Sequence, residues 1–155
     1  MIIHADIGIK GRARAVERML YRYRHMIREV DEYLVGGQGG DVNRWIRGGT
    51  GDSTQAQAIR ALCLPQHLEE CARWVSVIER VLHRYEAQGS DLAYVMRWYF
   101  RMDKINNGPD KARVERRNQI MDKLHIGRTR FYEMRQTIGY ELALEAAQEG
   151  ILEIK

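Results

Sequence analysis

The chain has 155 residues, of which 45% are hydrophobic and 30% charged, and its formal charge is +4. That length supports one hydrophobic core, and that composition excludes a fully disordered chain. No apolar run approaches the roughly 20 residues that span a bilayer. Asp6 and Lys10 interrupt the opening stretch where a secretory signal needs unbroken apolarity, so the sequence predicts a cytoplasmic protein with no membrane partner. Its two cysteines, Cys63 and Cys71, form no CxxC pair, and free thiols suit a reducing compartment.

The charge is unevenly spread. Residues 10–30 hold seven Lys/Arg against two Glu, and residues 111–135 hold eight against three acids, which leaves the remainder acidic. Two basic segments on an otherwise acidic chain point to oriented attraction to a polyanion.

In chain order, the first predicted element is a helix over 11–35, with Val16, Leu20, Tyr23, Ile27, Val30 and Leu34 at alternating spacings of four and three. Such spacing leaves one narrow apolar seam that must pack on another helix, in a hairpin or a dimer. A glycine-rich connector follows at 36–53 and contains Trp45, which is expected to anchor it into the core. Ser53 or Asp52 can cap a short helix over 54–63 that stops before Pro65. The seam pattern returns over 66–86 with Leu68, Cys71, Val75, Ile78, Leu82 and Tyr85. Ser90 is a natural N-cap for a helix over 91–102, and Pro109 opens another that runs to about Leu124. The last helix spans 128–148 and ends before Gly150. Trp74, Trp98, Tyr99 and Phe100 are expected in a shared core. The fold expected is all-α, with an N-terminal helical arm and connector over 1–64 and a helical domain over 65–155.

Only His125, Ile126 and Gly127 separate the last two helices. Ile120, Leu124 and Ile126 supply one buried face, and Phe131, Met134, Ile138 and Leu142 the other. A turn this short makes the helices share a core and presents the start of the second one outward, as a helix-turn-helix over about 113–142. His125 takes the turn position that favours a left-handed backbone, which His tolerates better than most residues. Arg128, Thr129, Arg130, Tyr132, Arg135 and Gln136 then lie opposite the core. An α-helix fits the major groove, where Arg pairs with guanine and Gln with adenine. Arg128, Arg130 and Arg135 are expected to be the strongest DNA contacts, Tyr132 and Gln136 to read bases, and Thr129 to cap the helix or touch a phosphate. The basic face of the first helix (Arg14, Arg18, Arg22, Arg28) fits a solvated surface, the preferred reading, or a track along the DNA backbone.

The segments VERMLYRYRHMIREVDEYL, GDSTQAQAIRAL, ARWVSVIERVLHRY with VMRWYF, and LHIGRTRFYEMRQTIGYEL follow one another in the chain. In that order they resemble phage late-gene transcriptional activators of the RinA and ArpU type, whose C-terminal half is similar to region four of bacterial sigma factors. The resemblance covers most of residues 16–145. It implies promoter binding on double-stranded DNA, late-gene activation through RNA polymerase, and a location at the nucleoid of a bacterial host. The seam helices offer a surface for a homodimer. Two other roles fit a helix-turn-helix joined to self-associating helices: a DNA-packaging subunit resembling small terminases, and an antitermination regulator.

No metal or cofactor is expected. His67 and Cys71 sit four apart, but no second pair is spaced to complete a zinc site. GxxxxGK[ST] is absent from the glycine-rich connector. The scattered histidines form no pairing with Ser, Asp or Cys that argues for catalysis, so the sequence predicts a protein that is not an enzyme.

Overall fold

A computed structural model describes the backbone of residues 2–35, 64–102 and 110–152, and the side chains of 12–35, 64–102 and 112–152. The described residues form helices joined by turns, with no strand among them. In chain order the helices are α1 (Ile2–Tyr21), α2 (Tyr23–Val35), α3 (Gln66–Ala87), α4 (Asp91–Tyr99), α5 (Asp110–Leu124) and α6 (Arg128–Gln148). The fold is all-α, as the periodicity predicts. The glycine-rich connector with Trp45, the helix expected over 54–63, Cys63 and the turn at Pro109 lie outside the described residues. Among the described residues no helix is long and apolar enough to cross a membrane.

α3 sits at the centre because its sequence is apolar on two sides. Leu68, Ile78, Leu82 and Tyr85 are buried on the expected seam, and Trp74, Val77 and Val81 are buried on a second stripe. α2, α4 and α6 all pack on this helix. Val77, Ile78 and Val81 retain no exposed surface, and burial of each such side chain stabilises by about 1.5–3 kcal/mol. Apolar packing therefore outweighs any one surface ion pair in holding these helices. The turn into α4 follows from Gly89, whose φ of +63° lets Ser90 N–H reach the Tyr85 carbonyl at 2.9 Å. The Ser90 hydroxyl then accepts from Leu92 N–H at 3.2 Å, the N-cap expected there.

The helix expected over 11–35 begins earlier, at Ile2, and is interrupted at Arg22. Arg22 N–H is shared between the Arg18 and Met19 carbonyls, at 3.2 and 3.1 Å. The two halves have different partners: α1 packs along α6 and α2 along α3. Past the break the seam shifts by one residue, so that Met26 is buried where Ile27 is expected, and Ile27 is half-buried. The Tyr23 hydroxyl donates to Glu79 at 2.7 Å, tying α2 to α3. Cys71 is a free thiol between the same helices. Burial, and then the nearby Glu29 carboxylate, pushes its pKa up.

One apolar cluster contains Val16, Leu20 and Met26 together with Val77, Met96, Phe131, Ile138 and Leu142. Helices from both sides of the boundary expected at residue 64 contribute to this cluster. Of the two expected seams, Tyr23, Leu68, Ile78, Leu82 and Tyr85 are buried in α2 and α3, whereas Ile27, Val30, Leu34, Cys71 and Val75 are half-buried. Trp98 departs from expectation as well. It is 55% exposed and lies against Tyr94, centroid to centroid 5.9 Å, on the solvent side of α4.

α1 approaches α6 closely because Gly139 has no side chain. A Cβ built on Gly139 would lie 3.2 Å from the Ala13 Cβ and 3.4 Å from the Ala13 carbonyl oxygen. Gly139→Val should cost roughly 1–3 kcal/mol through overpacking, read as a lower urea midpoint; an unchanged midpoint would contradict this approach.

On its other side α6 is tied to α3 by Glu145, which accepts from Arg80 and Arg84, each at 3.0 Å. Burial alone would raise the pKa of this carboxyl, but the two guanidinium hydrogen bonds outweigh it and hold the pKa below the ordinary 4.5. A depressed carboxyl pKa stabilises the folded chain above its unfolded value, and that contribution is lost as pH falls through the folded value. Glu145→Gln should therefore lower stability at neutral pH by roughly 1–2 kcal/mol, since the arginines remain half in water. Thermal melts should show that deficit steady down to about pH 4.5 and shrinking below it.

Candidate nucleic-acid interface

His125, Ile126 and Gly127 alone join α5 to α6. Ile126 N–H donates to the Met121 carbonyl at 3.1 Å, and this closure requires a left-handed residue between them. His125 fills that position with φ +54°, as expected, at a cost of about 1 kcal/mol relative to glycine. Gly127 is the N-cap of α6, extended at φ −86° and ψ 174°, and no side chain caps the helix. The first intrahelical bond runs from Phe131 N–H to the Gly127 carbonyl at 3.1 Å. The first-turn N–H groups of Arg128, Thr129 and Arg130 thus have no partner within the helix. Thr129, expected as a cap or a phosphate contact, does not cap; it is exposed at the second helical position.

The inward face of α6 is as the spacing predicts: Phe131, Met134, Ile138 and Leu142 are buried. Phe131 is seated edge-on against Tyr99 at 5.1 Å, and Tyr99 and Phe100 in turn pack at 6.2 and 4.9 Å from Tyr21 of α1. Aromatic contacts of this kind add about 0.5–1.5 kcal/mol each beyond area burial. They fix the rotation of α6 about its axis, and with it the identity of the exposed residues. Arg116 Nε donates to the Tyr99 carbonyl at 3.0 Å, holding α5 to the end of α4.

Arg128, Thr129, Arg130 and Gln136 are exposed, and Tyr132 is 40% exposed. The Tyr132 hydroxyl accepts from Arg117 Nη1 at 3.1 Å, so this side chain is oriented before any ligand arrives. Arg130 lies 3.4 Å from Glu133 in a solvated i,i+3 pair. Glu133 stands in the middle of the outward face, an acid three residues after Arg130 among the residues expected to meet DNA.

Arg135, expected among the strongest DNA contacts, is paired within the fold and also lines the cleft between α1 and α6. Its Nε and Nη2 donate to the two carboxylate oxygens of Glu17, at 2.6 and 3.0 Å, while the guanidinium carbon sits 5.4 Å from the Tyr99 ring centroid. Its side chain is 28% exposed. Partial burial alone would lower the Arg135 pKa, but the Glu17 hydrogen bonds raise it above the ordinary value. Position 135 points toward α1 rather than to solvent, and the acidic residue that decides this is 118 positions away in the chain.

α1 and α6 run antiparallel, with Ala13 beside Gly139 and Glu17 beside Arg135. Between their outer edges lies an open cleft of about 1320 Å³. Arg14 and Arg18 line it from α1, and Tyr132, Gln136 and Tyr140 from α6. Its lining holds five arginines and three glutamates, a balance that favours an anionic ligand. Arg28 lies elsewhere, on α2, paired with Glu32 at 2.7 Å.

A double-mutant cycle on Glu17→Gln and Arg135→Gln should give a coupling of roughly 1–3 kcal/mol in unfolding free energy, as expected for a bidentate pair on neighbouring helices. Additive effects of the two substitutions would show that Arg135 is not committed to α1.

No family model, no curated protein and no solved structure matches the chain.

Proposed function

We propose that the protein is a sequence-specific regulator of transcription that binds double-stranded DNA and inserts the N-terminal half of α6 into the major groove. One observation carries this: with Phe131, Met134 and Ile138 buried, Arg128, Thr129, Arg130, Tyr132 and Gln136 are left exposed at the start of a helix that follows a three-residue turn. In this proposal α5, the turn and α6 are the helix-turn-helix. Arg128 and Arg130, beside the unpartnered N–H groups of the first turn, take phosphates or guanine edges. Gln136 pairs with adenine, Glu133 accepts from the cytosine amino group, and Tyr132 contacts a base from the position Arg117 gives it. Arg135 has a positioning role, keeping α6 registered on α1.

The resemblance to phage late-gene activators supports a more specific assignment, in which the protein activates late promoters by acting on RNA polymerase in the cytoplasm of a bacterial host.

The test is an electrophoretic titration of the full chain against a random-sequence duplex pool at low, stated salt. Arg128→Ala and Arg130→Ala together should weaken binding by tenfold or more, since each such contact contributes roughly 1–3 kcal/mol. Unchanged affinity in the double variant, with the helical circular dichroism spectrum intact, would remove the assignment of α6.

A further inference from the structure

We infer that α1 is a second DNA-contacting element, with Arg14 and Arg18 gripping the phosphate strand that borders the groove occupied by α6. The inference rests on the proposed reading of α6 and decides between the two readings that the sequence leaves open for Arg14 and Arg18, a solvated face and a track along the DNA backbone. Three observations carry it.

The first is juxtaposition. Arg14 and Arg18 line the same cleft as Tyr132 and Gln136, although more than a hundred residues separate them in sequence. The second is availability. Both arginines are exposed, and among the described residues neither has a carboxylate partner. The acid between them on the chain, Glu17, is neutralised by Arg135. On α6, Glu133 lies 3.4 Å from Arg130 in a solvated pair and Glu141 also lines the cleft, so arginines still outnumber glutamates there by five to three.

The third is dimension. Packed helices lie about 8–10 Å apart, and α1 and α6 are in direct contact at Ala13 and Gly139. The major groove is about 12 Å wide. A helix placed one such spacing to the side of α6 lies over the groove's wall, where the phosphates are, rather than over base edges. Arg14 and Arg18 are one turn apart, about 6 Å along the axis, a separation from which two long side chains reach neighbouring phosphates of one strand. The Glu17–Arg135 pair and the Gly139 contact keep this second grip at a fixed distance from α6.

The experiment measures affinity of the full chain for a mixed-sequence duplex of about three helical turns across a salt series. Arg14→Gln with Arg18→Gln should flatten the plot of log affinity against log salt by about 1.8, since each phosphate contact contributes roughly 0.9 to the slope. Glutamine keeps the helix propensity of both exposed positions, and thermal melts of the variant should match those of the parent. Arg24→Gln with Arg28→Gln removes the same charge from α2, outside the cleft, and should leave the slope nearly unchanged.

If the parent chain binds and the Arg14/Arg18 variant keeps its slope, α1 does not touch the backbone and the inference fails while the reading of α6 stands. An equal loss in the Arg24/Arg28 variant would also overturn it, by showing a diffuse charge effect. A parent chain that does not bind duplex DNA at all would end both.

Discussion

The antiparallel packing of α1 along α6 is the constraint on which the candidate interface depends. It is made by the absence of a side chain at Gly139, by the two hydrogen bonds between Arg135 and Glu17, and by the aromatic contacts of Tyr21, Tyr99, Phe100 and Phe131 beneath the start of α6. Together they leave α6 no freedom to roll. A roll of one residue, about 100°, would exchange buried Phe131 for exposed Tyr132 and change every side chain offered to solvent. Surface chemistry at the start of α6 is thus a consequence of core packing at its flank.

The same packing explains why so basic a chain keeps some of its arginines from solvent partners. Arg80, Arg84, Arg116 and Arg135 each tie one helix to another. Arg14, Arg18, Arg128 and Arg130 remain exposed, the first two along the cleft beside Tyr132 and Gln136 and the other two at the start of α6. Net charge by itself decides little. What distinguishes the arginines is the acid opposite each: Glu145 and Glu17 claim theirs, whereas Arg130 meets Glu133 only in water, where such a pair contributes less than about 1 kcal/mol.

Much of this was legible in the sequence, and the exceptions have physical causes. α6 begins and ends where Gly127, the three-residue turn and Gly150 place it, because local chemistry fixes those ends. Phe131, Met134, Ile138 and Leu142 are buried as their spacing requires, and His125 takes the left-handed position the turn demands. Long-range pairing is what local pattern does not carry. Nothing near Arg135 in the chain reveals Glu17, and nothing near Gly139 reveals Ala13. The break at Arg22 has no local signature, because apolar spacing continues across it while the packing partner changes. The second buried stripe of α3 was present as Trp74, Val77 and Val81 but was hidden behind a seam that already satisfied a helical pattern. Trp98 is expected in the core with its neighbouring aromatics, but α4 buries Ala93, Val95, Met96 and Tyr99 and leaves position 98 beyond the edge of that face.

The central claim is that the exposed start of α6 reads a sequence of bases. Selection of bound duplexes from a random pool by the full chain, at stated salt, tests it most directly. Enrichment of a short motif of about three to five base pairs, the reach of one helix in a major groove, is the result predicted. Retention of DNA with no enriched sequence after repeated rounds would contradict it.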